Sequence, residues 1–160
     1  FSEVYRLPVC VLRFFTVYGP RGRPDMGFFQ FTRALLAGRP ITLFGEDTAR
    51  DFTYVDDIVA GVLGAARFLS GAGGFSTFNL GRSEPVVVRR VIELLASHLG
   101  VEPKIELGSL MPGEAVRTAA NVDRAAKAFG YQPQISIEEG VRLWVDWISN
   151  SPEAPSLASG

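Results

Sequence analysis

The side chains best suited to chemistry in this sequence are arginines and carboxylates. Lys104 and Lys127 are the only lysines, so every other basic residue is an arginine. Codon usage alone accounts for such a bias. A guanidinium fork also matches the oxygens of a carboxylate or phosphate, so each arginine must be weighed by where it sits. Other reactive residue types are scarce. Cys10 is the only cysteine, which excludes an internal disulfide and a cysteine-based zinc site. It lies in the apolar run Pro8-Val9-Cys10-Val11-Leu12, the setting of a buried, inert thiol. His98 is the only histidine, so no histidine cluster exists for a metal, and no Ser-His-Asp set is indicated. Gly100 and Asp123 stand four residues before the two lysines, so there is no Tyr-x-x-x-Lys pair. The Gly-rich stretch 71–75 follows a helical pattern and precedes a strand. A phosphate-cradling loop needs the opposite order, because the following helix N-terminus holds the anion, so this stretch reads as a turn.

With 47% hydrophobic and 21% charged residues and a net charge of −1, the 160-residue chain has the composition of a globular protein with one core. The near-neutral balance argues against binding to nucleic acid or to an anionic membrane surface. No apolar run reaches transmembrane length, and no signal-peptide pattern is present, so a cytoplasmic location is the default expectation.

The elements that must position the candidate residues follow from hydrophobic periodicity and turn chemistry. Residues 1–7 read as the last turns of a helix. Residues 9–15 are a nearly continuous apolar run, which predicts a strand buried on both faces. A helix is expected over 27–37, with Phe28, Phe31 and Leu35 inward and Gly38 and Pro40 ending it. Residues 41–44 form a short strand, and residues 50–54 form another extended piece. Asp56 is the expected N-cap of a helix in which Ile58, Val59, Val62, Leu63, Ala66 and Leu69 keep helical spacing. A strand over 75–80 and a helix over 88–99 follow, the latter with Val91, Ile92, Leu95 and Leu99 inward and His98 near its C-terminus. Residues 104–107 look like a strand, 110–120 have no clear pattern, and 123–129 form a short helix. Ser136-Ile137-Glu138-Glu139 is a capping-box signature opening a last helix, with Ile137, Val141, Trp144, Val145 and Ile148 on one face. Residues 151–160, rich in Ser, Pro and Ala, read as a disordered tail. Alternating strands and helices make the class α/β. A strand like 9–15 needs parallel neighbours that this chain supplies sparingly, so the chain reads as part of a larger doubly wound sheet.

Three segments carry a family resemblance. The first is Leu12-Arg13-Phe14-Phe15-Thr16-Val17-Tyr18-Gly19-Pro20-Arg21-Gly22-Arg23-Pro24-Asp25-Met26. The second is Leu43-Phe44-Gly45 followed by Arg50-Asp51-Phe52-Thr53-Tyr54-Val55-Asp56-Asp57-Ile58. The third is Phe78-Asn79-Leu80-Gly81 with Met111-Pro112-Gly113-Glu114. In this order and spacing they resemble the extended short-chain dehydrogenase/reductase family, the NAD-dependent epimerases and dehydratases of nucleotide sugars, and most of all its UDP-glucuronate 4-epimerases. The resemblance covers residues 1–150. It implies the C-terminal part of a Rossmann-type sheet plus the smaller sugar-nucleotide lobe, with no catalytic residue in this chain.

The resemblance also implies individual roles. Phe15 and Val17 would lie near the nicotinamide end of NAD, and Thr16 would touch the substrate. Arg23 would hold the sugar carboxylate; fixing that group would also restrain the decarboxylation open to a 4-keto uronic acid. Arg50 would bind the UDP diphosphate, with an ion pair to Asp51 or Asp47 as the rival account of this residue. Phe44 would lie near the uracil, and the backbone of Thr42, Leu43 and Phe44 would read the base edge. Glu114 would accept from the ribose hydroxyls, and Arg117 would assist with phosphate. Arg13, in mid-strand, would need a carboxylate partner, expected to be Asp57. The implied function is the substrate half of a UDP-glucuronate 4-epimerase working through a 4-keto intermediate. The alternatives are a non-catalytic sugar-nucleotide-binding fragment, or a related decarboxylase or dehydratase, which the Arg-Pro-Asp-Met segment disfavours. Lacking both Tyr-x-x-x-Lys and a cofactor loop, the chain alone is expected to be inactive. Members of the family are often homodimers through helices of their other half.

Overall fold

In the computed structural model, which describes residues 2–71, 74–150 and 152, strands and helices alternate as an α/β protein. The elements are α1 (Ser2–Tyr5), β1 (Val9–Phe14), β2 (Thr16–Tyr18), α2 (Gly27–Leu36), β3 (Ile41–Phe44), β4 (Ala49–Arg50), β5 (Phe52–Tyr54), α3 (Val55–Gly71), β6 (Phe75–Leu80), β7 (Val86–Val87), α4 (Val88–Leu99), β8 (Ile105–Gly108), α5 (Asp123–Phe129) and α6 (Ile137–Asn150). Apart from Pro152, the tail expected over 151–160 lies outside the described residues. No described helix is long and apolar enough to cross a membrane.

The chain divides into two compact units. The first comprises Phe1–Val17, Asp51–Pro85 and Thr118–Ile135. Here β1 and β6 pair in parallel, Val9 opposite Phe75 through Phe14 opposite Leu80, and β2 pairs with β5. Ile58, Phe78, Leu80, Ala125 and Tyr131 form its core. Phe78 meets the rings of Phe68 and Phe129 edge-on at 5.4 and 5.0 Å. Helix α3 approaches closely because of Gly61: a Cβ there would stand 2.8 Å from Leu80 and 2.9 Å from Tyr131.

Among the described residues β6 is the one strand partner of β1, as expected of a chain that supplies few neighbours, and Val11, Arg13 and Phe14 are exposed. Three expectations for this unit need correction. Arg13 therefore needs no buried counter-charge, and Asp57 is otherwise engaged. Its two carboxylate oxygens accept from the amides of Gln134 and Ile135 at 2.9 and 3.0 Å. Helix α3 starts at Val55, so Asp56 lies in its first turn rather than at the cap, still favourably placed against the helix dipole. Its buried stripe is Asp57, Ile58, Gly61 and Ala65, while Val59, Val62 and Leu63 face outward. The small residues win the inner face because they let the helix sit close to the sheet.

The second unit comprises Tyr18–Arg50, Val86–Arg117 and Ser136–Gly160. Strands β3 and β8 pair in parallel, and β4 pairs antiparallel with β7. Helices α2, α4 and α6 pack together around Trp144, which is fully buried. The indole N–H donates to Thr32 Oγ1 at 2.9 Å, and that hydroxyl donates to Phe28 O at 2.7 Å. A buried polar pair is thus satisfied in full. Phe28 stacks on Tyr18 at 4.0 Å, and Phe29 meets Trp144 edge-on at 4.6 Å. The inner face of α2 is Phe28, Phe29, Thr32 and Leu35, with Phe31 only half-buried, one position away from the expected stripe. Half of the expected capping box is present: Glu139 N donates to Ser136 Oγ at 3.2 Å, while the Glu139 carboxylate pairs with Arg142 instead.

Candidate functional site

In the second unit, two segments far apart in sequence are brought together. Ala49 bridges Arg117, and Ala49 N donates to Val116 O at 2.9 Å. This places Arg50 against the stretch that follows Glu114. Arg50 Nη1 donates to the carbonyls of Ala115 at 2.9 Å, Ala49 at 3.0 Å and Val116 at 3.4 Å. One nitrogen thereby fixes the guanidinium, and Nε and Nη2 make no hydrogen bond among the described residues. The rival account of Arg50 fails, since neither Asp47 nor Asp51 pairs with it among the described residues. Arg117, exposed, adds a second cation beside Ala49. Glu114 is also exposed, and one of its carboxylate oxygens accepts from Met111 N at 3.3 Å, closing the Met111-Pro112-Gly113-Glu114 turn. Sequence periodicity was silent over 110–120 because the segment is held by this turn and by the bridge, not by a repeating pattern.

Strand β3 presents a different kind of surface. Ile41 N donates to Lys104 O and Gly45 N to Gly108 O, so the odd residues turn their backbone toward β8. Thr42 and Phe44 turn theirs to the opposite, open edge. There Phe44 O accepts from Thr48 Oγ1 at 2.7 Å, leaving the Thr42 amide and carbonyl and the Phe44 amide along that edge. Leu43 is 3% exposed, with its side chain in the core and its backbone toward β8, so it supports this surface without facing a ligand. The Phe44 ring is 51% exposed on the outer face, beside Thr42. It lies over Gly108: a Cβ there would stand 2.9 Å from both Phe44 Cδ1 and Thr42 Cγ2. Gly108 is required for space, not for backbone conformation, since its φ is not positive.

Arg23 lies in the exposed loop after β2, where it forks onto Asp25. Its Nε donates to Oδ1 at 3.0 Å and its Nη2 to Oδ2. Hydrogen bonding to Arg23 is the main cause that holds the Asp25 carboxyl below its ordinary range.

In the first unit, Phe15, Thr16 and Val17 follow the carboxyl end of β1 and are half-buried. Phe15 N donates to Leu80 O at 3.1 Å and Thr16 N to Asp51 O at 3.0 Å. Val17 packs against the core cluster. Asp51 is the residue that sequence reasoning missed. Fully buried, it accepts from the amides of Ala120 at 2.7 Å, Arg82 at 2.8 Å and Ser83 at 3.0 Å, and from Thr53 Oγ1 at 3.3 Å. Four donors on one carboxylate satisfy it without a cation. A signal was available in the placement of Asp51 amid apolar Phe52 and Tyr54, where a charge must find partners. Cys10 is half-buried against the same core, and desolvation raises its thiol pKa, which makes it a poor nucleophile.

The sequence motifs fall on the strand end from Phe15 to Val17, on Arg50 and Asp51, on strand β3 and on the turn ending at Glu114. Residues 1–81 match the NAD dependent epimerase/dehydratase family, and the chain belongs to it. Among relatives, it is 43% identical over 163 residues to UDP-glucuronate 4-epimerase 1 of Arabidopsis thaliana, covering 92% of this chain and 38% of that one. It is 37% identical to UDP-glucuronate 4-epimerase of Thermodesulfobacterium geofontis, covering 96% and 47%. In structure, it resembles UDP-glucuronic acid 4-epimerase from Bacillus cereus in complex with UDP-glucuronic acid and NAD, with a TM-score of 0.84, 33% identity, and coverage of 92% of this chain and 47% of that chain. It also resembles the UDP-glucose 4-epimerase of Thermotoga maritima with UDP-glucose, at a TM-score of 0.82 and 29% identity, covering 94% and 48%. The chain thus spans less than half the length of these relatives.

Among the described residues, the strand end after β1 offers an NAD cofactor an apolar wall. Phe15 and Val17 are half-buried apolar side chains at a strand's carboxyl end, suited to wall the nicotinamide ring. A phosphate cradle would need a Gly-rich strand-to-helix turn. Here β5 runs straight into α3, whose first turn carries Asp56 and Asp57, the wrong charge for a pyrophosphate.

Proposed function

We propose that this chain is the substrate-binding part of an NAD-dependent UDP-sugar 4-epimerase that acts on UDP-glucuronate. The observation that carries the reading is Arg50, whose guanidinium is tied by one nitrogen to the carbonyls of Ala115 and Val116, with Arg117 alongside. An arginine fixed in this way loses little freedom on binding, and its remaining donors suit a diphosphate. Phe44 and the open edge of β3 supply what a flat base needs: a ring to lie against, and an acceptor flanked by amides. A carbonyl and an amide on one strand edge pair with the N–H and C=O of an imide base as they would with another strand. Glu114 offers a carboxylate to ribose hydroxyls, and Arg23 a cation to the sugar carboxylate. In the whole enzyme NAD would supply reversible hydride acceptance at the sugar carbon; Phe15 and Val17 are the residues of this chain that would wall its nicotinamide, and Thr16 the one that would contact the sugar. For the chain by itself we propose binding without turnover, because its sequence holds no Tyr-x-x-x-Lys and no cofactor loop.

Calorimetric titration of the chain with UDP-glucuronate tests this. Saturable binding that Arg50→Ala weakens at least roughly tenfold is expected, from loss of charge-assisted bonds. Binding that is indifferent to Arg50, or no binding at all, would sink the proposal. Epimerisation by the chain alone would overturn the account of its missing groups.

A further inference from the structure

We propose that Asp25 is a positioning residue that sets the sugar preference of the site, by holding one edge of the Arg23 guanidinium so that its other edge is presented to a carboxylate. This rests on the reading of Arg23 as the carboxylate ligand. A guanidinium has two edges able to grip a carboxylate in parallel fashion, the side edge Nε–Nη2 and the end edge Nη1–Nη2. Asp25 occupies the side edge, taking Nε on Oδ1 and Nη2 on Oδ2. Nη1 makes no hydrogen bond among the described residues, so the end edge keeps both its outward donors. Fixing one edge removes the rotations about the side chain's last bonds, which an exposed arginine would otherwise sample freely. The short loop supports this arrangement: Met26 N donates to Arg23 O at 3.1 Å, and Gln30 Nε2 to Pro24 O at 3.2 Å, tying the Arg23–Asp25 segment to the first turn of α2.

Both side chains are largely exposed, at 76% and 61%. Ion pairs in such surroundings contribute little to stability. Substitution of Asp25 should therefore leave the fold intact and act only on orientation. A carboxylate two residues away could instead compete with the ligand for Arg23, and the two behaviours have opposite signs. An orienting Asp25 raises the preference for an acidic sugar; a competing Asp25 lowers it.

The experiment compares UDP-glucuronate with UDP-glucose on the 160-residue chain by calorimetry, in wild type, Asp25→Asn, Asp25→Glu and Arg23→Leu. Arg23→Leu is expected to abolish the preference for the acidic sugar. Asp25→Asn should cut that preference by roughly three- to tenfold while leaving UDP-glucose affinity unchanged, and Asp25→Glu should restore part of it. The proposal is overturned if Asp25→Asn leaves the preference as it was, increases it, or weakens both sugar nucleotides alike. If Arg23→Leu itself spares the preference, the carboxylate role of Arg23 falls, and the proposal for Asp25 with it. Failure of the wild-type chain to bind either sugar nucleotide would overturn the proposed function, and the proposal for Asp25 with it.

Discussion

Arg50 and Asp51 are neighbours in sequence and opposites in use. The Asp51 carboxylate is buried and saturated by three amides, from the loop after β6 and from Ala120, and by the hydroxyl of Thr53. The Arg50 guanidinium spends one nitrogen on backbone carbonyls and keeps the rest. The first pattern belongs to a group whose work is finished on folding, and the second to a group held ready for something else. The units that contain them differ in the same way. The first builds a parallel strand pair around a compact aromatic core. The second places its exposed polar and aromatic side chains along the strand edge of β3 and the turn ending at Glu114. Charge alone does not separate structural from ligand-facing residues; how fully the partners are supplied does.

The sharpest way to break this contrast is Asp51→Ala. It would leave the buried amide of Ala120 and the part-buried amides of Arg82 and Ser83 without their acceptor, and should cost about 2–4 kcal/mol in urea unfolding. A loss below about 1 kcal/mol would show that the carboxylate is dispensable. Next comes Arg50→Ala, expected to lower stability by no more than about 1 kcal/mol, because the carbonyls it releases can reach water, while UDP affinity falls at least roughly tenfold. Equal damage to stability and binding would erase the distinction between the two neighbours.

Tyr131 tests the first unit through pH. Its hydroxyl donates to Gly81 O at 3.1 Å, and burial, followed by the negative charges of Asp57 and Asp51, raises its pKa well above the ordinary value of 10.0. A raised folded pKa favours the protonated form in the native state. This contribution is fully present below pH 10 and is lost as pH rises beyond it. Tyr131→Phe should cost about 1 kcal/mol at neutral pH and flatten part of the alkaline loss of stability; an unchanged alkaline profile would contradict the assignment. The smallest effect is expected from Gly108→Ala. A methyl group there displaces the Phe44 ring, so UDP binding should weaken about threefold, with inorganic pyrophosphate binding and thermal stability unchanged. Weakened pyrophosphate binding would mean that the substitution disturbs more than the ring.

Periodicity and turn chemistry located α2, β3, β6, α4, α5 and α6 to within a residue or so, because each buries one stripe against its own unit. Where burial depends on distant partners, the pattern alone does not decide. The apolar run of β1 reads as doubly buried, and within this chain, which spans less than half the length of its relatives, β6 is its one neighbour among the described residues. Helix α3 is apolar on several sides, so only the close approach through Gly61 selects the inner face. The pairing of Arg13 with Asp57 failed for a similar reason: a sequence shows that a buried carboxylate must be satisfied, but not that backbone amides will do it.

The order of residue types along the chain was enough to establish the family, the element order and the set of candidate anion-binding arginines, since motifs and amphipathic spacing are local properties. Only the folded chain decided that Arg50 meets the carbonyls of residues 115 and 116, that Phe44 lies on Gly108, and that Asp51 rather than Asp56 is the carboxylate tied most deeply into the structure. Those outcomes depend on contacts between segments separated by tens of residues. Hydrogen-bond saturation is a property of such contacts, and no local pattern encodes it.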